Sequence, residues 1–285
     1  MTDLAATTRE QSGLGQLIKS EHKGEITTIT IDRPAKLNAL SGALMTQLSH
    51  ALTAAESDDD TKVVVLTGAP SAFSVGYDIS EEVASGLARP EDWHRQLSSN
   101  VALTMQVWSL SKPVVGAVDG WCLAGGCELA MACDILIAAD TAQFGEPEIR
   151  FGSGPVTLLM PFILGQKRTN ELLFTGDVID ATTAERLGLI NRVVPAPELL
   201  ATAEQLARKI ALTPLPVLRL TKLALNRAYE AMGLRNAVSA NLDLAAVLNA
   251  AHSKEHSEFG ELVATQGLRS ALAWRDARYA PFEQA

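Results

Sequence analysis

The chain has 285 residues, a net charge of −9, 47% hydrophobic residues and only 5% aromatic ones. That length holds one large domain with an appendage, or two modest domains, around a core of Ala, Val, Ile and Leu. The acidic balance argues against a general binder of phosphate backbones, which needs a basic face, and leaves room only for a local basic patch.

Residues 1–14 read as a loose leader whose polar start, Met1 to Gln11, lacks the apolar centre of a signal peptide. Residues 15–20 and 25–31 read as a strand pair turning at His22-Lys23-Gly24, the second strand β-branched from Ile26 to Ile31. Arg33-Pro34 ends it, and Lys36 to Leu40 form a loop before a helix that starts near Ser41 and runs to about Glu56. Leu44, Leu48, Leu52 and Ala55 recur at helical spacing and mark its core face. Asp58-Asp59-Asp60 reads as a solvated acidic turn, and Val63 to Leu66 as a strand buried on both faces. Asp78 suits a helix cap. Residues 80–100 are polar and mixed; Trp93 either lines a pocket or packs, and His94 either lines it or faces water. A helix from about Glu91 to Leu110 leads to an apolar strand, Pro113 to Val118.

Gly120 to Glu128 then follows. Gly125 and Gly126 fall where strand turns into helix, and small residues there let a ligand approach the backbone. The first N–H groups of a helix lack internal partners, and the dipole favours negative charge, so the turn offers amide donors to an oxyanion. Glu128 lies in the first turn of that helix, either as an ordinary first-turn acid or as a proton-transfer group. Asp134 to Ala139 reads as a buried strand that returns Glu148 towards Glu128, and two carboxylates around one water can position it and move its protons. Alternatively, Glu148 is a solvated loop acid.

Helices are expected over 166–174, 182–187, 197–212, 214–229, 234–251 and 254–278, with no repeat among them. The three cysteines, Cys122, Cys127 and Cys133, form no C-x-x-C pair and read as buried free thiols in a reducing compartment. No apolar run reaches about 18 residues, so no membrane span is expected and the protein reads as soluble and cytoplasmic.

Four separated motifs stand in order: Arg33-Pro34 with Asn38-Ala39-Leu40; Phe73-Ser74-Val75-Gly76-Tyr77-Asp78; Gly125-Gly126-Cys127-Glu128; and Phe144-Gly145-x-Pro147-Glu148. Thr175-Gly176, Ala184 and Gly188-Leu189-Ile190-Asn191 add to them. Together they resemble the crotonase superfamily of enoyl-CoA hydratases, isomerases and relatives. The likeness covers roughly residues 15–205 well and the tail loosely. It implies an α/β fold: a crotonase-like spiral of repeated ββα units over 15–205, then a helical region over 206–285 that builds trimers, often paired as hexamers.

The activity implied is that of an enoyl-CoA hydratase, which adds water across the 2,3 double bond of a 2-enoyl-CoA thioester. Within the same resemblance stand an isomerase, a hydratase-lyase for aryl or branched acyl-CoA, and a catalytically silent or RNA-binding relative. The N–H groups of Tyr77 and Gly125 would form the oxyanion hole. Glu148 would protonate C2 and Glu128 would activate the water. Contacts to coenzyme A and substrate would fall on Lys36, Leu37, Ala39, Val75, Gly76, Asp78, Ile79, Trp121 and Pro147, with Lys36 alternatively an ordinary exposed lysine. In the tail, Arg275 and Arg278 would lie near the CoA phosphates or be solvated helix-end charges. No metal or redox cofactor, nucleic acid or membrane is implied, and coenzyme A arrives as part of the substrate. The sequence departs from the family pattern in three places. Gly152 to Pro161 is bulkier than usual, the family's tail aromatic is Ala271, and Tyr77 is large for its place. Arg150 would pair with an acid or meet a polar end of the substrate.

Overall fold

The computed structural model describes residues 15–283; the expected leader, 1–14, lies outside the described residues. The chain opens with β1 (Ile18–Lys23) antiparallel to β2 (Ile26–Ile31). The turn is Gly24-Glu25, slightly later than expected. Helix α1 (Gly42–Ser57), capped by the Ser41 hydroxyl, leads to β3 (Val63–Gly68), parallel to β2. A short β4 (Ala72–Ser74) follows, then α2 (Ile79–Ser85) and α3 (Pro90–Ser109). The next cycle is β5 (Val114–Val118), β6 (Trp121–Leu123) and α4 (Gly125–Met131). After it come β7 (Ile135–Ala139), β8 (Gln143–Gly145), α5 (Met160–Leu164) and α6 (Gln166–Thr175). Strand β9 (Ile179–Asp180), α7 (Ala181–Leu187), β10 (Arg192–Val194) and α8 (Leu199–Ala211) close this part.

One step therefore repeats: a long strand in a six-stranded sheet, a short strand in a four-stranded sheet, then a helix. The large sheet runs β1-β2-β3-β5-β7-β10 and the small one β4-β6-β8-β9, both parallel apart from the β1–β2 and β8–β9 pairs. The central strands β3, β5 and β7 are almost wholly apolar because both their faces are covered, whereas the edge strand β1 is mostly exposed and polar. Val63, Val65, Val115 and Ala117 face α8, which offers Ala203, Ala207 and Ala211. Val64, Leu66, Val114 and Val118 face the central core, shared with Leu44, Leu48 and Leu52 of α1.

The tail is helical: α9 (Leu215–Ala231), α10 (Leu234–Ala250), α11 (Lys254–Gln266) and α12 (Leu268–Tyr279). One helix was expected over 254–278. The chain breaks at Gly267, whose φ of 87° and ψ of 161° suit only glycine. Helices α11 and α12 then fold back, and Phe259, Val263 and Ala271 pack with Phe151, Ile79 and Val83. No helix among the described residues is long and apolar enough to cross a membrane.

Candidate active site

The loop before α1 frames one side of the site. Asn38 is buried, accepts the Arg33 N–H at 2.8 Å and donates to Ala69 O and Ala72 O at 3.0 and 2.6 Å. That holds the loop beside the segment after β4. Leu40 N–H donates to Gly76 O at 2.8 Å, and Asp78 N–H donates to Leu40 O at 3.2 Å. In such a parallel bridge the residue between, Tyr77, turns its own N–H to the opposite side. That side carries the glycine turn. A Cβ on Gly76 would lie 3.0 Å from Gly125 N and 2.6 Å from the Ala124 Cβ, so only glycine, at φ 90°, lets the two segments touch.

Gly125 is aimed by its neighbour. Ala124 sits at φ 54°, ψ −134°, a conformation that costs an alanine energy, and its N–H is tied to Gly145 O at 2.8 Å. Helix α4 starts at once, and Gly126 lies so close to Ser74 O that a Cβ would come within 2.3 Å. Among the described residues neither the Tyr77 N–H nor the Gly125 N–H donates to another backbone group. Two free amides thus lie on segments in close contact, the Gly125 one at a helix start.

Glu128, in the first turn of α4, is fully buried. Its Oε1 accepts from Val156 N–H at 2.5 Å and Thr157 N–H at 2.7 Å, while Oε2 has no partner. Burial raises its pKa, and those amides oppose the rise. Glu148 is buried in the short 3-10 helix Pro147–Phe151, also with Oε2 unpartnered. Burial, then the Glu128 charge, push it up to about 8; Arg275 is close enough to oppose this and Glu82 to add to it. Of the pair, Glu128 is better held as the anion and Glu148 as the neutral acid.

The other expected residues divide into two groups. Val75 and Gly76 join the frame: Val75 N–H donates to Leu37 O at 3.2 Å, and Ala39 is buried beneath. Lys36 and Leu37 are exposed at the loop's edge. Pro147 is buried at the start of the Glu148 helix, and Ile79 packs against the tail. Asp78 caps α2 through Ser80 and Glu81 and pairs with Arg33 at 2.7 Å. Trp121 is exposed at the start of β6. Arg275 pairs with Asp276, and Arg278 lies over the Trp274 ring, 4.8 Å from its centroid, and faces Glu255. Arg150 takes the first of its two readings: it is buried, paired with Asp177 and Glu283, and its Nε donates to Thr175 O. Trp93 packs, while His94 reaches Asp243 at the surface.

Three features escaped the motif reading. The bulky segment after Gly152 supplies the two amides that hold Glu128. Glu146, the unspecified position of the fourth motif, is buried with both oxygens unpartnered, and burial first, then Glu128, hold its pKa well above the carboxylate range. Residue type gave no signal for it, since an acid between Gly145 and Pro147 reads as loop. The third is the hydroxyl of Tyr77, which is buried and unpartnered.

The free amides of Tyr77 and Gly125 and the buried carboxyls of Glu128 and Glu148 are the candidate groups of the site. The family model for enoyl-CoA hydratase/isomerase matches residues 21–265. A probable enoyl-CoA hydratase of Rhizobium meliloti is 40% identical over 221 residues, 75% of this chain and 84% of the relative. A short-chain-enoyl-CoA hydratase of Clostridium acetobutylicum is 33% identical over 88% of this chain and 91% of its own. The crystal structure of an enoyl-CoA hydratase/isomerase from Xanthobacter autotrophicus Py2 superposes with a TM-score of 0.90 at 38% identity, covering 92% of this chain and 98% of that one. This chain belongs to the enoyl-CoA hydratase/isomerase family and has the crotonase fold.

Proposed function

We propose that the protein is a 2-enoyl-CoA hydratase. The observation that carries this reading is the pair of buried glutamates, each with a free Oε2, beside the two free amides. The thioester oxygen accepts hydrogen bonds from Tyr77 N–H and Gly125 N–H. Water held by the carboxyls attacks C3 as Glu128 Oε2 takes its proton. The C2–C3 π pair moves towards the thioester oxygen, and fixed amides stabilise that charge without reorganising. Glu148 delivers its proton to C2, and transfer from Glu128 to Glu148 restores the starting state. Two carboxyls of different acidity favour water chemistry over a double-bond shift, which needs one group to take and return a proton.

Around this centre, Lys36, Leu37, Trp121, Arg275 and Arg278 are the candidates for holding coenzyme A. The assembly proposed is a trimer or a pair of trimers, with α9 and α10 at the interface. The shallow apolar hollow of Val217, Leu220, Thr221, Ala224 and Leu225 on α9 supports that placement.

The test is hydration of a panel of 2-enoyl-CoA thioesters, from crotonyl to long-chain, branched and aryl members, by the native protein and by Glu128→Gln. The variant should lose about 10²–10⁴-fold in kcat with little change in KM. Normal turnover by the variant would remove Glu128 from the mechanism, and no hydration of any member would remove the hydratase reading.

A further inference from the structure

An oxyanion donor at residue 77 needs only its N–H, yet the side chain there is a tyrosine. Its ring lies against the glycine turn: a Cβ on Gly125 would fall 2.4 Å from Tyr77 Cε2 and 2.7 Å from Cζ. The ring also packs into both the central core and the cluster of Trp93, Leu97 and Val156. It keeps a partly exposed edge, while the hydroxyl oxygen is buried close to the Thr104 hydroxyl and the Glu128 carboxylate without a well-formed hydrogen bond to either. Glu128 Oε2 and Glu148 Oε2 are buried and unpartnered as well. Leaving such groups unsatisfied is costly, so each implies a partner during turnover.

The three side chains are near enough to act on one another: the Glu128 and Glu148 charges both bear on the Tyr77 phenol, and the Glu128 charge bears on Glu148. Val156 N–H and Thr157 N–H engage Oε1 of Glu128, which leaves Oε2 as the oxygen for any other partner. Val156 packs in the same cluster as the Tyr77 ring.

We propose that the Tyr77 hydroxyl is the third arm of the water site, donating a hydrogen bond to the reacting water held between Glu128 Oε2 and Glu148 Oε2. A water molecule has two protons and two lone pairs. One proton bonds Glu128 Oε2 and is the one transferred, the other bonds Glu148 Oε2 and stays on the adding hydroxyl, one lone pair accepts from the phenol, and the other faces C3. The phenol thereby leaves a single lone pair for attack and fixes its direction. No proton leaves Tyr77. In the reverse reaction the same O–H donates to the C3 hydroxyl oxygen as the C–O bond breaks. Burial and then the Glu128 charge hold the phenol well above its ordinary pKa, so it remains a donor across the working range.

The assignment rests on the hydratase reading, and Tyr77→Phe tests it because only the oxygen is lost while the ring still covers Gly125. The variant should lose about tenfold or more in kcat for crotonyl-CoA hydration and for the reverse dehydration alike, with KM little changed. Paired crystal structures should show a water bonded to Tyr77 Oη and both carboxyls in the native protein, displaced in the variant. Native kcat in a folded Tyr77→Phe protein overturns the assignment, as does a native structure whose water ignores the hydroxyl. If the native protein hydrates no enoyl thioester, the hydratase reading and the reacting role fall together. Loss of turnover in the variant alone leaves the hydratase reading standing and supports the phenol's role. Should the variant fail to fold, the native structure decides alone.

Discussion

At the scale of residues, the two glutamates are distinguished by what bonds them. Glu128 Oε1 receives two main-chain N–H groups, which favour its charged form. Burial and the neighbouring charge set Glu148 near 8. Acting as the acid, Glu148 must be protonated, so kcat should hold below about pH 8 and fall as pH rises through it. The acid limb belongs to Glu128, whose raised pKa moves that limb above the ordinary carboxylate range. Stability follows the same proton. The folded state keeps it on Glu148 between the ordinary value of 4.5 and about 8, whereas the unfolded chain releases it. More protons bound when folded means that this contribution falls as pH rises across that window. Glu148→Gln should therefore abolish hydration and flatten that part of the melting temperature against pH. An unchanged pH slope in the variant would deny the raised pKa. The sequence offered both acids as candidates through the motifs they close, with a first-turn acid and a loop acid as the alternatives, and the structure places both in the interior. Glu146 was not legible: an acid between Gly145 and Pro147 reads as loop until burial is seen. The amides of Val156 and Thr157 were equally hidden, since main-chain donors leave no mark in residue type.

Among the elements, those with a period or an unbroken apolar run were readable and the shortest were not. Helix α1 declared itself through Leu44, Leu48, Leu52 and Ala55, and β3 through its apolar run. Strands β4, β6 and β8 have three residues each, too few to show alternation, yet their pairing carries the turns that aim Tyr77 and Gly125. The tail shows the opposite error. The helical composition of 254–278 continues through Gly267, so composition reads one helix where backbone geometry makes two. At that φ and ψ a side chain strains the backbone, although a Cβ would meet nothing within 4 Å. Gly267→Ala should therefore lower stability by about 1–3 kcal/mol through conformation alone, read from denaturant unfolding. An unaltered midpoint would mean that the break is not imposed by Gly267. The break matters to the site because α12 carries Arg275, which is near enough to Glu148 to oppose its rise in pKa.

Across the whole molecule, one region does not bury what its composition supplies. Helix α9 is fastened by Lys222, which donates to Lys112 O at 3.1 Å and pairs with Asp134 at 2.7 Å, and Lys222 is its only buried residue. Val217, Leu220, Leu223 and Leu225 on α9, and Leu244 and Val247 on α10, stay exposed. An exposed apolar set of this kind on helices marks an interaction surface. Other copies of this chain are the occupants proposed above, and small Thr221 and Ala224 in the hollow leave room for a neighbour's side chain. Burial there is stabilised by about 25 cal/mol per Å² of apolar surface, a contribution that salt does not screen. Sedimentation at micromolar concentration should therefore give three or six chains, with no shift towards monomer as salt is raised. Leu220→Glu, which places a carboxylate against that surface, should shift the mass downward and expose a native-like monomer. A monomeric native protein, or assembly that dissolves in salt while Leu220→Glu leaves it intact, would mean that charge and not this apolar face holds the copies together.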